Sequence, residues 1–240
     1  MRQLALPVRL RATSVFESFY PGANGDVVRQ LLSLSPGARP PVIWLYGAPS
    51  VGKTHLLQAL CARAGRQDLA ATYWPLRKMS AQDAELLTGC ESLAFTCLDD
   101  FEAIAGNAAW ERAVFRLYTE LEDQGGRLVI SAASLPANLG IDLRDLASRL
   151  AAGLVLRLHP LNDDEQMTAL TLRASQLGLE LPGDTAQFLL RRLPRDMAKL
   201  CDVLDALDHA SLITQRRLSV PFVRSVLEHR ETQDAQGGDP

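Results

Sequence analysis

The stretch Gly47-Ala48-Pro49-Ser50-Val51-Gly52-Lys53-Thr54 constrains this chain more than any other. It follows Val42-Ile43-Trp44-Leu45-Tyr46, a short run whose β-branched and aromatic members predict a buried strand. It opens a segment with Leu56, Leu57 and Leu60 at helical spacing. A strand, a loop with two glycines and a helix in that order form a phosphate-binding loop, because glycine lets the backbone curl until its N–H groups and the positive helix end face one anion. Lys53 supplies a point charge for β- and γ-phosphates and Thr54 a hydroxyl for magnesium, with His55 next in line on the same helix.

Short apolar runs recur at 71–76, 93–98, 128–131 and 154–158, separated by helix-length segments, and this alternation predicts a parallel α/β sheet. Between residues 108 and 123, Trp110, Val114, Leu117, Tyr118 and Leu121 fall on one helix face. From Leu161 onward the strand signal disappears. Met167, Leu170, Ala174 and Leu177, then Leu200, Val203, Leu204 and Leu207, keep helical spacing and predict a smaller all-helical domain. The boundary falls between His159 and Asn162, where Asn162 or Asp163 can cap the next helix. The expected organisation is an extended arm over 1–11, a nucleotide-binding α/β domain over 12–160, a helical domain over 161–230 and a disordered tail over 231–240, which is polar and glycine-rich.

With 240 residues the chain can bury a sizeable core, and no apolar run approaches the roughly 20 residues that span a bilayer. Arg2, Arg9 and Arg11 interrupt the apolar N-terminus, so a signal peptide is not expected. A net charge of −3 gives no global drive toward nucleic acid or anionic lipid, and any DNA association is expected to be indirect. Cys61, Cys90, Cys97 and Cys201 show no C-x-x-C spacing and read as buried thiols in a reducing cytosol. The histidines are too scattered for a metal site, so no metal is expected beyond a nucleotide's magnesium.

Magnesium beside phosphates needs a carboxylate on a neighbouring strand. Leu93-Ala94-Phe95-Thr96-Cys97-Leu98-Asp99-Asp100 provides one: Asp99 is expected to anchor the metal through water and Asp100 to orient or deprotonate an attacking water. The alternative is that the acidic pair caps a helix starting near Phe101.

The two motifs followed by a helical lid resemble the AAA+ ATPases, which implies a parallel sheet of order 5-1-4-3-2. Phe16-Glu17-Ser18-Phe19-Tyr20-Pro21-Gly22-Ala23-Asn24 resembles the lead-in segment of the DnaA-related branch, which implies that Phe19, Tyr20 and Pro21 pack against adenine; the rings can equally be core. Asp145-Leu146-Ala147-Ser148-Arg149-Leu150 resembles that branch's arginine-finger motif, with Arg149 at the finger position, and Pro194-Arg195-Asp196-Met197 resembles its second sensor, with Arg195 reaching the nucleotide. Along residues 3 to 230 the chain most closely resembles the Hda family of regulatory proteins. The terminal Gln3-Leu4-Ala5-Leu6-Pro7 is similar to that family's clamp-docking peptide, in which Gln3 fixes register, Leu4 and Leu6 fill an apolar pocket and Pro7 limits the entropy lost; an arm strand packed on its own domain is the other reading. A helix-turn-helix DNA reader after the lid is not expected.

The resemblance implies bound ADP or ATP with Mg, a cytoplasmic location near the nucleoid and replisome, and two protein partners, the replication initiator DnaA and the sliding clamp (the β subunit of DNA polymerase III). Arg149 would act in trans on ATP held by DnaA, lowering premature re-initiation of DNA replication. Self-association is left open. One departure bears on the chain's own hydrolysis: Val129-Ile130-Ser131-Ala132-Ala133-Ser134 lacks an acidic or amide first sensor, with Ser131 or Ser134 as poor substitutes, so intrinsic turnover is expected to be weak. A helicase loader of the same branch and a small-molecule kinase remain as alternatives.

Overall fold

The run Val42–Tyr46 forms β1, an interior strand of a five-stranded sheet in the computed structural model, which describes residues 14–193, 196–214 and 217–236. Its partners are β2 (Ala71–Pro75), β3 (Phe95–Asp99), β4 (Arg127–Ala132) and β5 (Leu154–Arg157), all parallel, in the order β2-β3-β4-β1-β5. This is the expected 5-1-4-3-2 order, read from the opposite edge. Leu45 lies opposite Ser131 on one side and Leu156 on the other, so β1 is flanked along most of its length.

Because side chains alternate across a strand, β1 feeds two cores. Val42 and Trp44 join Trp74, Leu98, Leu128 and Ile130 on one face, beneath α3 (Ala108–Gln124) and α4 (Arg144–Ala151). Ile43 and Leu45 join Tyr73, Cys97, Val129 and Leu156 on the other, beneath α1 (Gly25–Leu32) and α2 (Lys53–Arg66). Burial on both faces explains why β1 reads as a continuous apolar run rather than an alternating one. Each fully buried large side chain contributes roughly 1.5–3 kcal/mol.

Helix α3 carries its periodic face inward, with Trp110, Val114, Leu117, Tyr118 and Leu121 all buried. Asn107 starts it: Oδ1 accepts from the Ala109 and Trp110 N–H groups, and Gly125 at φ 78° ends it. The acidic pair does not cap a long helix at Phe101. Asp100 makes no side-chain cap there, and only one 3-10 turn, Phe101–Ala103, follows it.

A second compact unit begins at Leu161. It holds α5 (Asp163–Gln176), α6 (Gly183–Arg192), α7 (Met197–Thr214) and α8 (Val220–Gln236) around Leu170, Ala174, Leu189, Leu200, Leu204, Leu207 and Val223. Asn162 opens α5 with a reciprocal box, Oδ1 accepting from Glu165 N–H while the Glu165 carboxylate accepts from Asn162 N–H. Asp196 likewise receives the Ala198 and Lys199 N–H groups at the start of α7. Helix α8 runs as far as Gln236. Glu231, Gln233, Ala235 and Gln236 favour helix, and Gly237-Gly238 is where that preference ends. The arm over 1–11 lies outside the described residues.

Candidate functional site

At the C-terminal end of β1 the chain turns through residues 47–52 into α2. Two conformational demands shape this loop. Ser50 sits at φ 62° and Gly52 at φ 98°, both left-handed, and Gly52 is the N-cap of α2 without a side-chain cap. A Cβ on Gly47 would lie 2.6 Å from the Leu158 carbonyl, and one on Gly52 2.5 Å from Phe19 Cε2. Glycine is required at both ends of the loop by close approach. An uncapped helix N-terminus behind a curled backbone is a concavity suited to an anion.

Lys53 is buried, and its Nζ donates to the Gly47 and Ala48 carbonyls at 2.7 and 2.9 Å. Burial draws its pKa down, while Glu102, Asp100 and Asp99 act against that shift. The ammonium is therefore held inside its own loop and faces a cluster of carboxylates. Thr54, by contrast, is exposed.

The lead-in segment is fastened to the first turn of α2 through His55. Its Nε2 lies 2.9 Å from the Val15 carbonyl and 3.2 Å from Ser18 Oγ; a carbonyl only accepts, so Nε2 carries the proton. The Phe19 ring lies 5.5 Å from the His55 ring, centroid to centroid, and rests over Gly52. Tyr20 and Pro21 are half-buried beside it. Asn24 then ties this segment to the end of β5, its amide donating to the His159 carbonyl and its Oδ1 accepting from His159 N–H.

Asp99 and Asp100 occupy different environments. Asp99 is buried and accepts from two hydroxyls, Tyr73 on β2 at 2.6 Å and Ser131 on β4. Burial and the neighbouring carboxylate push the Tyr73 hydroxyl pKa well up, so it stays a donor. Ser131 also accepts from Asp100 N–H at 2.9 Å. Asp100 itself is at φ 60°, and its carboxylate receives Arg77 Nε at 2.8 Å, while the same guanidinium reaches Glu102 at 2.8 Å. The carboxylate at φ > 0 is held by charge. Ser134 contributes its carbonyl to Trp44 Nε1.

Arg149 lies on α4, its side chain 40% exposed. Its guanidinium is 4.9 Å from the Tyr118 ring centre, 5.2 Å from that of Phe115, and 3.6 Å from the Glu122 carboxylate. The start of α4 is set by a buried carboxylate: Glu111 accepts from the N–H groups of Gly106 at 2.7 Å, Asp142 at 3.1 Å and Leu143 at 2.8 Å.

Residues 163–227 match the family model described as the lid domain of Hda. Domain III of the replication initiation protein DnaA from Thermotoga maritima is similar in structure at a TM-score of 0.77 and 22% identity, over 92% of this chain and 98% of that one. The chain has the AAA+ fold. AMPPCP-bound DnaA from Aquifex aeolicus aligns at a TM-score of 0.71 and 19% identity, over 95% of this chain and 72% of that one. A RuvB variant of Thermotoga maritima aligns more loosely, at 0.62 and 19%, over 85% and 69%.

Within this AAA+ fold, Gly47 to His55, Phe19, Asp99, Asp100 and β4 all belong to the unit that ends at Pro160. Arg195 and the peptide Gln3 to Pro7 lie outside the described residues. Among the described residues no cluster of His, Cys, Asp and Glu forms a metal site, and no helix is long and apolar enough to cross a membrane. Tyr73, Arg77, Glu102 and Glu111 escaped the sequence reading. Strand order alone brings Tyr73 and Arg77 beside β3, and nothing local in 71–78 signals it. Ser131, read from sequence as a poor sensor, turns its hydroxyl toward Asp99 and Asp100.

Proposed function

We propose that this AAA+ protein binds ADP or ATP at Gly47 to Thr54 and serves as a regulatory inactivator of the initiator DnaA. The observation that carries the reading is the Hda lid match over 163–227, joined to a fold shared with DnaA domain III. AMPPCP in the Aquifex aeolicus relative supports an adenine nucleotide as the ligand.

The loop fits a polyphosphate. Curled backbone amides, the uncapped N-terminus of α2 and the Lys53 ammonium converge on one concavity, and an anion's oxygens can replace the Gly47 and Ala48 carbonyls as acceptors for Lys53. In this reading Phe19, with Tyr20, Pro21 and His55, lines the side where the base lies. Thr54 and Asp99 would hold magnesium, which supplies charge neutralisation between phosphate oxygens. Both Asp99 oxygens already accept hydroxyl hydrogens, an arrangement suited to contact through water. Asp100 is paired with Arg77 and so poorly placed to take a proton, which supports weak hydrolysis in this chain's own site.

The nucleotide then acts chiefly as a conformational control. Arg149 supplies positive charge to ATP held by DnaA, and residues 3 to 7 dock the protein on the DNA-loaded sliding clamp. DNA is met only through these partners. The test is hydrolysis of DnaA-bound ATP in the presence of clamp loaded on DNA. Wild type should accelerate it, while Arg149→Ala and deletion of Gln3 to Pro7 should each abolish the acceleration with nucleotide binding intact. No acceleration by wild type would sink the proposal; full activity of Arg149→Ala would remove the finger.

A further inference from the structure

Glu111, Phe115, Tyr118 and Glu122 are spaced i, i+4, i+7 and i+11 along α3 and form one stripe on its surface. Each touches α4 or its approach. Glu111 fixes Asp142 and Leu143, the two residues before α4, and the other three surround the guanidinium of Arg149. An arginine held over two aromatic faces and beside a carboxylate is partly desolvated and partly neutralised. Arg39 engages the other oxygen of the same carboxylate at 2.5 Å, which fixes Glu122 in place beside Arg149.

We propose that this stripe of α3 is a resting seat for Arg149, with Glu122 the positioning residue that holds the guanidinium back until a partner's anion competes for it. The inference rests on the finger reading of Arg149. A guanidinium already paired with Glu122 offers less charge to a phosphate elsewhere, so it must leave this carboxylate to act in trans. Glu111 keeps the backbone of α4 fixed, which confines the change to the side chain. The seat is partly exposed at its Arg149 and Glu122 ends, the two side chains being 40% and 28% exposed, so it can open without unfolding of the helix pair.

Two measurements decide it. In the isolated protein, phenylglyoxal modification of Arg149, followed by peptide mass spectrometry, should be roughly threefold faster in Glu122→Gln than in wild type, the size expected for loss of an exposed ion pair. It should also be faster in Tyr118→Leu and unchanged in Tyr118→Phe, which keeps the ring. Equal rates for Glu122→Gln and wild type would overturn the seat. In the DnaA hydrolysis assay at sub-saturating concentration, Glu122→Gln should stimulate roughly threefold more than wild type; equal or lower stimulation would mean that Glu122 does not hold Arg149 back. The modification assay contains no DnaA, so it tests the seat even where Arg149→Ala proves fully active and the finger reading fails.

Discussion

Replacing Glu111 by glutamine removes one charge and one acceptor from a site where three backbone N–H groups converge on a carboxylate that is 1% exposed. Whichever way the new amide turns, its NH2 group faces a donor. With the oxygen at the Oε1 position, Gly106 and Asp142 keep an acceptor and Leu143 N–H loses one. The reverse orientation strands two N–H groups, so the first is preferred. One hydrogen bond to a charged group is then lost, at about 1.5–3 kcal/mol, and two more fall from charge-assisted to neutral strength. The expected loss is about 2–4 kcal/mol, which for a unit of this size lowers the thermal midpoint by roughly 6–13 °C. Differential scanning calorimetry reads the shift. Native-state hydrogen exchange locates it, with the Leu143 amide exchanging faster than in wild type while β4 amides keep their protection relative to global stability. A loss below about 0.5 kcal/mol, or unchanged exchange at Leu143, would refute the argument that this carboxylate holds the start of α4.

Three further outcomes are expected. Lys53→Ala should weaken ADP binding at least about tenfold by isothermal calorimetry, since it removes a charge-assisted phosphate contact, and unchanged affinity would count against the phosphate site. Gly52→Ala places a Cβ 2.5 Å from Phe19 Cε2 at φ 98°, so thermal unfolding should register a loss of at least about 1–2 kcal/mol from the backbone alone; wild-type stability would show that the loop adopts another conformation. Asn162→Ala removes the side-chain half of the box that opens α5, and a cost of about 1 kcal/mol should appear in the stability of residues 161–236 expressed separately, provided that fragment folds; no change in a folded fragment would show that the cap is dispensable.

Much of the architecture could be read from residue order because its signals are local. The run Val42–Tyr46 is apolar throughout, as a strand covered on both faces must be, and the periodicity of Trp110 to Leu121 is that of one buried helix face. The loop Gly47 to Thr54 is legible because its glycines and lysine fall close together in one short stretch between a strand and a helix.

The sequence by itself determined the five strands and the main helices, and that a loop carrying two glycines and leading into Lys53 joins β1 to α2. Only the tertiary structure decided what stands around that loop. Tyr73 reaches Asp99 because β2 pairs with β3, and Ser131 reaches the same carboxylate because β4 pairs with β3 on the other side. Arg77 finds Asp100 and Glu102 across an interval of more than twenty residues, and Glu122 finds Arg149 across two helices. These partners are distant in the chain, so no periodicity or spacing encodes them; a hydroxyl or a charge acquires its role from the neighbour that strand order and helix packing supply.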